Sequence, residues 1–171
     1  ESGVFDDEIV PVEITSRAGT VSVTTDDGVR ADTTAESLGK LRASFREGGS
    51  VTAGNASQIS DGAAALVIVS EEWAAANAVT GLARILGHAL VSGPDVSLHA
   101  QPAAAIEAAA ARAGRTVAEL AAVEINEAFA VQVLAVLSGW GVKLDDVDDR
   151  LNVNGSGISL GHPIGATGVR I

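Results

Sequence analysis

Apolar and polar positions alternate in two different rhythms along the chain. Near its start, IVPVEIT (9–15) and VSVTT (21–25) flank a polar turn at Arg17 to Thr20. This pattern predicts a hairpin or two edge strands, because Pro11 is poorly tolerated in a central strand. Thr33-Thr34-Ala35-Glu36 has the form of a capping box, and Leu38, Leu41 and Phe45 recur at helical spacing behind it. From Glu47 to Gly62 the chain turns to Gly, Ser, Thr and Asn, a long loop of the kind that carries function.

Beyond that loop the pattern becomes strand, helix, strand, helix. Ala63 to Ser70 is a continuous apolar run, as in a strand buried on both faces, and Ser70 is placed to cap an alanine-rich helix through Asn77. A second strand is predicted from about Ala83 to Val91. Pro102 opens a helix that Gly114 ends, and Thr116 with Glu119 caps a short second one. The strand AAVEI follows, and then a helix within NEAFAVQVLAVLSGWG ending near Gly141. Such alternation implies parallel strands with right-handed crossovers, hence an α/β fold. The first sixty residues lack it, which sets a boundary near Asp61.

Composition narrows the class. The chain has 171 residues, 47% of them hydrophobic, but only 3% aromatic, so its core is built from Ala, Val, Leu and Ile. A net charge of -11 offers no basic face for a nucleic-acid backbone, and no apolar run is long enough to span a bilayer. Cysteine is absent, which removes disulfides, thiolate metal sites and a cysteine nucleophile from these residues. Methionine is absent as well, residue 1 is Glu, and Gly168 to Ile171 reads as the first turn of a helix. The expectation is an interior piece of a longer polypeptide.

Two stretches carry candidate chemistry. In Asn126-Glu127-Ala128-Phe129-Ala130, Asn126 stands where a helix cap would stand, and also at the end of a predicted strand, where open α/β sheets place ligands. Glu127 and Phe129 read as first-turn charge and core packing. In Asn152 to Gly168, dense glycine lets a backbone turn sharply and approach a ligand, and His162 is the one ring that changes protonation near neutral pH. The glycines match neither a P-loop nor the dinucleotide fingerprint. His88 and His99 have no metal-like spacing to other ligands.

Taken in order, VTAGNASQISDGAAALVIVS (51–70), EINEAFAVQVLAV (124–136) and NVNGSGISLGHPIGATG (152–168) resemble the second half of a thiolase, the family that makes or cleaves a carbon-carbon bond between acyl groups carried on coenzyme A. The resemblance implies a thiolase-like layered α/β fold with a mostly parallel sheet, present in part and preceded by part of an irregular loop domain. Residues 1–60 would belong to that loop domain, 61–80 would close the first α/β half, and 81–171 would form most of the second.

The same resemblance assigns roles. His162 matches the histidine that donates to a thioester oxygen as negative charge develops, and Asn126 the asparagine that holds a water on that oxygen. Ser57 matches a serine touching the pantetheine arm, and Arg30 an arginine lying against the adenine; as a residue alone, Arg30 also reads as a solvated surface charge. The substrates implied are acyl-CoA and CoA, with no further cofactor and no metal. A homodimer or homotetramer in the cytoplasm is implied, with neither a nucleic-acid partner nor a membrane span. A thiolase-like protein that binds acyl-CoA or lipid without catalysis is the alternative. The family's two cysteines have no counterpart here, so the isolated chain is expected to be inactive. Leu98-His99-Ala100-Gln101-Pro102 replaces the family's Met-Gly-x-Gly-Pro turn, and Asn154-Gly155-Ser156-Gly157 its Asn-Gly-Gly-Ala.

Overall fold

A computed structural model describes residues 3–26, 28–147 and 149–171. The one ladder among the described residues is the predicted hairpin, β1 (Val12–Ser16) and β2 (Gly19–Val23), antiparallel with Val12 opposite Val23 and Ile14 opposite Val21. The turn needs a residue that tolerates positive φ, and Gly19 supplies it at +125°. Period-2 alternation puts Val12, Ile14, Val21 and Val23 on one face, all exposed.

Local capping signals translate into short helices, although the first box forms one residue later than expected, between Thr34 and Ser37 rather than Thr33 and Glu36. Thr34 accepts from the Ser37 amide and starts α1 (Ala35–Gly39), which ends before Leu41 and Phe45. Ser70 accepts from the Trp73 amide at 3.1 Å and starts α2 (Glu71–Ala76). Pro102 lies in the first turn of α3 (Gln101–Arg112), and Gly114, at φ +68°, turns the chain out of it. Thr116 pairs with Glu119 across a 3-10 turn at Val117–Glu119.

α4 (Ala130–Trp140) ends at left-handed Gly141, as its pattern predicts, but begins four residues after Asn126, with Phe129 at its N-cap. The capping reading of Asn126 is therefore corrected. The arm before the helix is held by tertiary pairing instead: Ser57 N donates to Ala128 O at 3.0 Å, Ala130 N donates to Asn55 O at 2.9 Å, and Ala56 bridges Phe129. Two last helices, α5 (Gly157–Leu160) and α6 (Ile164–Arg170), flank His162. α6 starts directly after Pro163, so Gly168 to Arg170 continues a helix rather than opening one.

The core lies between α3, α4 and the segments 123–125 and 147–151, with Val136 fully buried and Ala103, Ile125, Val133 and Leu137 around it. The parallel sheet expected from the alternation is reduced among the described residues to one parallel bridge, Val123 with Leu151. Segments 63–69 and 83–90 run without ladder partners and mostly exposed; Val67 is 92% and Leu90 95% accessible. A run apolar on both faces forms a strand only when neighbours supply hydrogen bonds and cover, and no described segment does so here.

Candidate active site

The glycine-rich stretch is stitched to the arm ahead of α4. Val123 N donates to Arg150 O at 2.9 Å, and Asn152 N to Val123 O at 3.0 Å. At Asn152 the backbone turns left-handed, φ +48°, and the side chain takes over the ladder. Its Oδ1 accepts from Ile125 N at 2.7 Å while its Nδ2 donates to Ile125 O at 2.8 Å, so a side-chain amide stands where a peptide group would. Asn is among the few residues that occupy this backbone region readily.

Ser156, 1% exposed, continues the seam: its hydroxyl donates to Ile125 O at 3.1 Å and accepts from Glu127 N at 3.3 Å. The Glu127 carboxylate accepts from Asn152 Nδ2 and from Ile158 N, each at 3.3 Å. Glu127 is thus a clamp between arm and loop; because α4 begins only at Ala130, it is not the first-turn charge expected of it. Gly157 is required at the crossing, because a Cβ there would lie 2.7 Å from Asn126 Oδ1 and 3.0 Å from Glu127 O.

This seam brings Asn126 and His162 together. Asn126 Nδ2 lies 3.1 Å from His162 Nε2, across a sequence separation of 36 residues. The other ring nitrogen, Nδ1, lies 2.8 Å from Thr167 Oγ1. His162 N approaches Gln58 O at 3.4 Å, and Gln58 Nε2 donates to Gly28 O at 2.9 Å and Ile158 O at 3.3 Å. Asn126 Oδ1 is buried without a protein partner. A buried acceptor in that state points to a water or a ligand atom as its missing partner. Chemically, the pair offers one imidazole nitrogen and one neutral amide, both half-buried and side by side.

The remaining expected positions fall around this pair. Ser57 is half-buried on the segment that pairs with Ala128, two residues from Asn126. Arg30 is exposed, and its side chain forms no ion pair among the described residues; only its carbonyl is engaged, by Thr33. His99, in the 3-10 turn Leu98–Ala100, meets Phe129 edge-on with ring centroids 5.6 Å apart. Sequence reasoning missed Asn152, Ser156, Gln58 and Thr167. Asn152 alone left a trace, as an asparagine entering a glycine-rich turn.

The structure thus sets the histidine of the glycine-rich loop beside the asparagine of the Asn-Glu-Ala-Phe arm, and sequence comparison assigns the family. Residues 1–72 match the thiolase N-terminal domain and residues 79–171 the thiolase C-terminal domain. The chain belongs to the thiolase family.

A probable acetyl-CoA acetyltransferase of Mycolicibacterium smegmatis is 49% identical over 172 residues, covering 100% of this chain and 43% of the relative. The crystal structure of the Bacillus anthracis acetyl-CoA acetyltransferase superposes with a TM-score of 0.83 at 46% identity, over 99% of this chain and 42% of that one. Human mitochondrial 3-ketoacyl-CoA thiolase in complex with CoA superposes with a TM-score of 0.80 at 42% identity, over 99% and 41%. The fold is therefore thiolase-like, and the chain spans less than half the length of these relatives.

Proposed function

We propose that the polypeptide to which this chain belongs is a thiolase-type acyltransferase, which joins acetyl-CoA to an acyl-CoA to give a 3-ketoacyl-CoA and free CoA, or runs the reverse cleavage. The observation that carries this reading is the Asn126 and His162 pair, 3.1 Å apart at a clamped crossing. In the forward direction a carbanion forms next to a thioester carbonyl, and its charge collects on the carbonyl oxygen as an enolate. His162 donates to that oxygen and Asn126 anchors a water on it, a role supported by the buried, unpartnered Asn126 Oδ1. One preorganised donor of this kind typically contributes about 3 kcal/mol.

CoA is the substrate carrier, with no separate cofactor and no metal. Ser57 contacts the pantetheine arm, supported by its place on the segment paired with Ala128, and Arg30 lies against the adenine, supported by the Gln58 link that draws Gly28 toward the same loop. Segments 63–70 and 83–91 complete a mostly parallel sheet in the whole protein. The chain divides into loop-domain residues 1–60, a closing segment 61–80, and a second half 81–171. The parent assembles as a homodimer or homotetramer in the cytoplasm, with no nucleic-acid partner and no membrane span; no helix among the described residues is long and apolar enough for one.

The reading is tested by incubating the full-length protein with acetoacetyl-CoA and CoA and following thioester cleavage. Production of acetyl-CoA is expected. Retention of acyl-CoA with no turnover would instead identify a binding protein.

A further inference from the structure

Gln58 has no part in the proposed reaction, yet two distant stretches of chain are joined through it. Its Nε2 donates to Gly28 O at 2.9 Å and to Ile158 O at 3.3 Å, across sequence separations of 30 and 100 residues. Both neighbours are carbonyls, which only accept, so the amide is fixed with its NH₂ between them and each proton has its own acceptor. Turned over, Oε1 would face two acceptors. The main chain of the same residue reaches the candidate pair, since Gln58 O accepts from His162 N at 3.4 Å. Among the described residues, no other hydrogen bond joins 28–33 to a distant part of the chain.

The packing around these bonds leaves little room for another arrangement. A Cβ on Gly28 would lie 2.9 Å from Gln58 Nε2 and 3.1 Å from its Oε1, so the side-chain amide needs bare backbone opposite it. Further along, Gly161 faces Ser60 so closely that a Cβ would overlap the hydroxyl, and a Cβ on Gly62 would lie 2.7 Å from Pro163 Cγ. Residues 58–62 thus form a wall against which 161–163 are seated. The Gln58 side chain extends from that wall to the turn two residues before Arg30.

We propose that Gln58 is a positioning residue that couples the nucleotide end of a bound CoA thioester to the histidine loop. The proposal rests on the proposed function for the ligand at Arg30, while the link itself is geometric. Contact of the nucleotide with Arg30 orders residues 28–30, and the Gln58 amide passes that order to Ile158 and to the turn carrying His162. A remote part of a substrate raises kcat only where its binding energy is used at the reacting centre. Gln58 provides the connection, so the nucleotide contributes to turnover as well as to affinity.

The full-length protein tests this with two substrates, acetoacetyl-CoA and acetoacetyl-pantetheine, which lacks the nucleotide. The single-turnover cleavage rate of the native protein, each thioester saturating, is expected to be at least about fivefold higher for the CoA thioester. Gln58→Met, which keeps the length and removes the amide, is expected to bring that ratio below about twofold, and Gly28→Ala, whose methyl group displaces the amide, to lower it in the same direction. A merely structural role would slow both substrates alike; a ratio unchanged in both variants, or a native ratio of one, overturns the coupling. Hydrogen exchange gives a readout without turnover. Saturating CoA is expected to slow exchange at 28–34 and at 157–163 in the native protein, and only at 28–34 in Gln58→Met. A native protein that cleaves neither thioester would defeat the proposed function while exchange still decides the coupling, and no slowing at 157–163 in the native protein overturns it.

Discussion

Replacing Asn152 tests whether a side-chain amide really substitutes for a peptide group in the seam beneath the site. Asn152→Ala removes the acceptor for Ile125 N and the donor to Ile125 O, at 2.7 and 2.8 Å, together with the longer Nδ2 bond to the Glu127 carboxylate at 3.3 Å. Each such bond contributes about 1 kcal/mol net, and the Ile125 amide is left buried without a partner. Ile125 O keeps the Ser156 hydroxyl, so the damage falls on the N–H. Alanine also has to hold φ near the +48° found here, which costs it about 1 kcal/mol. With the three hydrogen bonds the sum is about 4 kcal/mol. Asn152→Gly loses the same hydrogen bonds without the backbone penalty and is expected to recover about 1 kcal/mol of it. Thermal unfolding of the native full-length protein and both variants, scanned under identical conditions, is expected to rank native above Gly above Ala. An Asn152→Ala protein as stable as the native one would refute the peptide-surrogate role, and Ala ranking at or above Gly would refute the backbone argument.

Two further substitutions probe the pair itself. Gly157→Ala forces a Cβ to within 2.7 Å of Asn126 Oδ1 and against the Glu127 backbone, so the amide shifts away from His162. An overpacking cost of roughly 1–3 kcal/mol and a fall in kcat are expected together, and unchanged kcat would show that the crossing tolerates the methyl group. Asn126→Ala is expected to lower kcat less than loss of His162 does, with the unfolding midpoint little changed, because α4 begins at Ala130 and Asn126 lies outside its cap position. A destabilised but fully active variant, with stability restored by Asp, would bring back the capping role and remove the catalytic one.

What was legible in the sequence was whatever is decided locally. The Ser70 cap, Pro102 at the start of α3, Gly114 and Gly141 beyond helix ends and the 12–23 hairpin each depend on a few neighbouring residues, and each appears in the structure. His162 and Asn126 were legible as residues through motif resemblance, but their contact was not, since it depends on the seam made by Asn152, Ser156 and Glu127. Asn126 shows the limit most plainly. Its side chain suits a cap or a ligand equally well, and the pairing of residues 128–130 with 55–57, remote in sequence, sent the helix start elsewhere. The contact of Thr167 with His162 was hidden because it depends on α6 beginning at Ile164. The runs at 63–69 and 83–90 show a further limit: an apolar segment declares that it needs cover, not which segment provides it.

The kcat of His162→Ala in the full-length protein, measured for acetoacetyl-CoA thiolysis beside the native enzyme, tests the central claim most directly. Loss of an enolate donor predicts a fall of roughly 100-fold or more with KM little altered, since the interaction strengthens as charge develops. A His162→Ala enzyme that turns over at the native rate would contradict the assignment of this loop as the catalytic one.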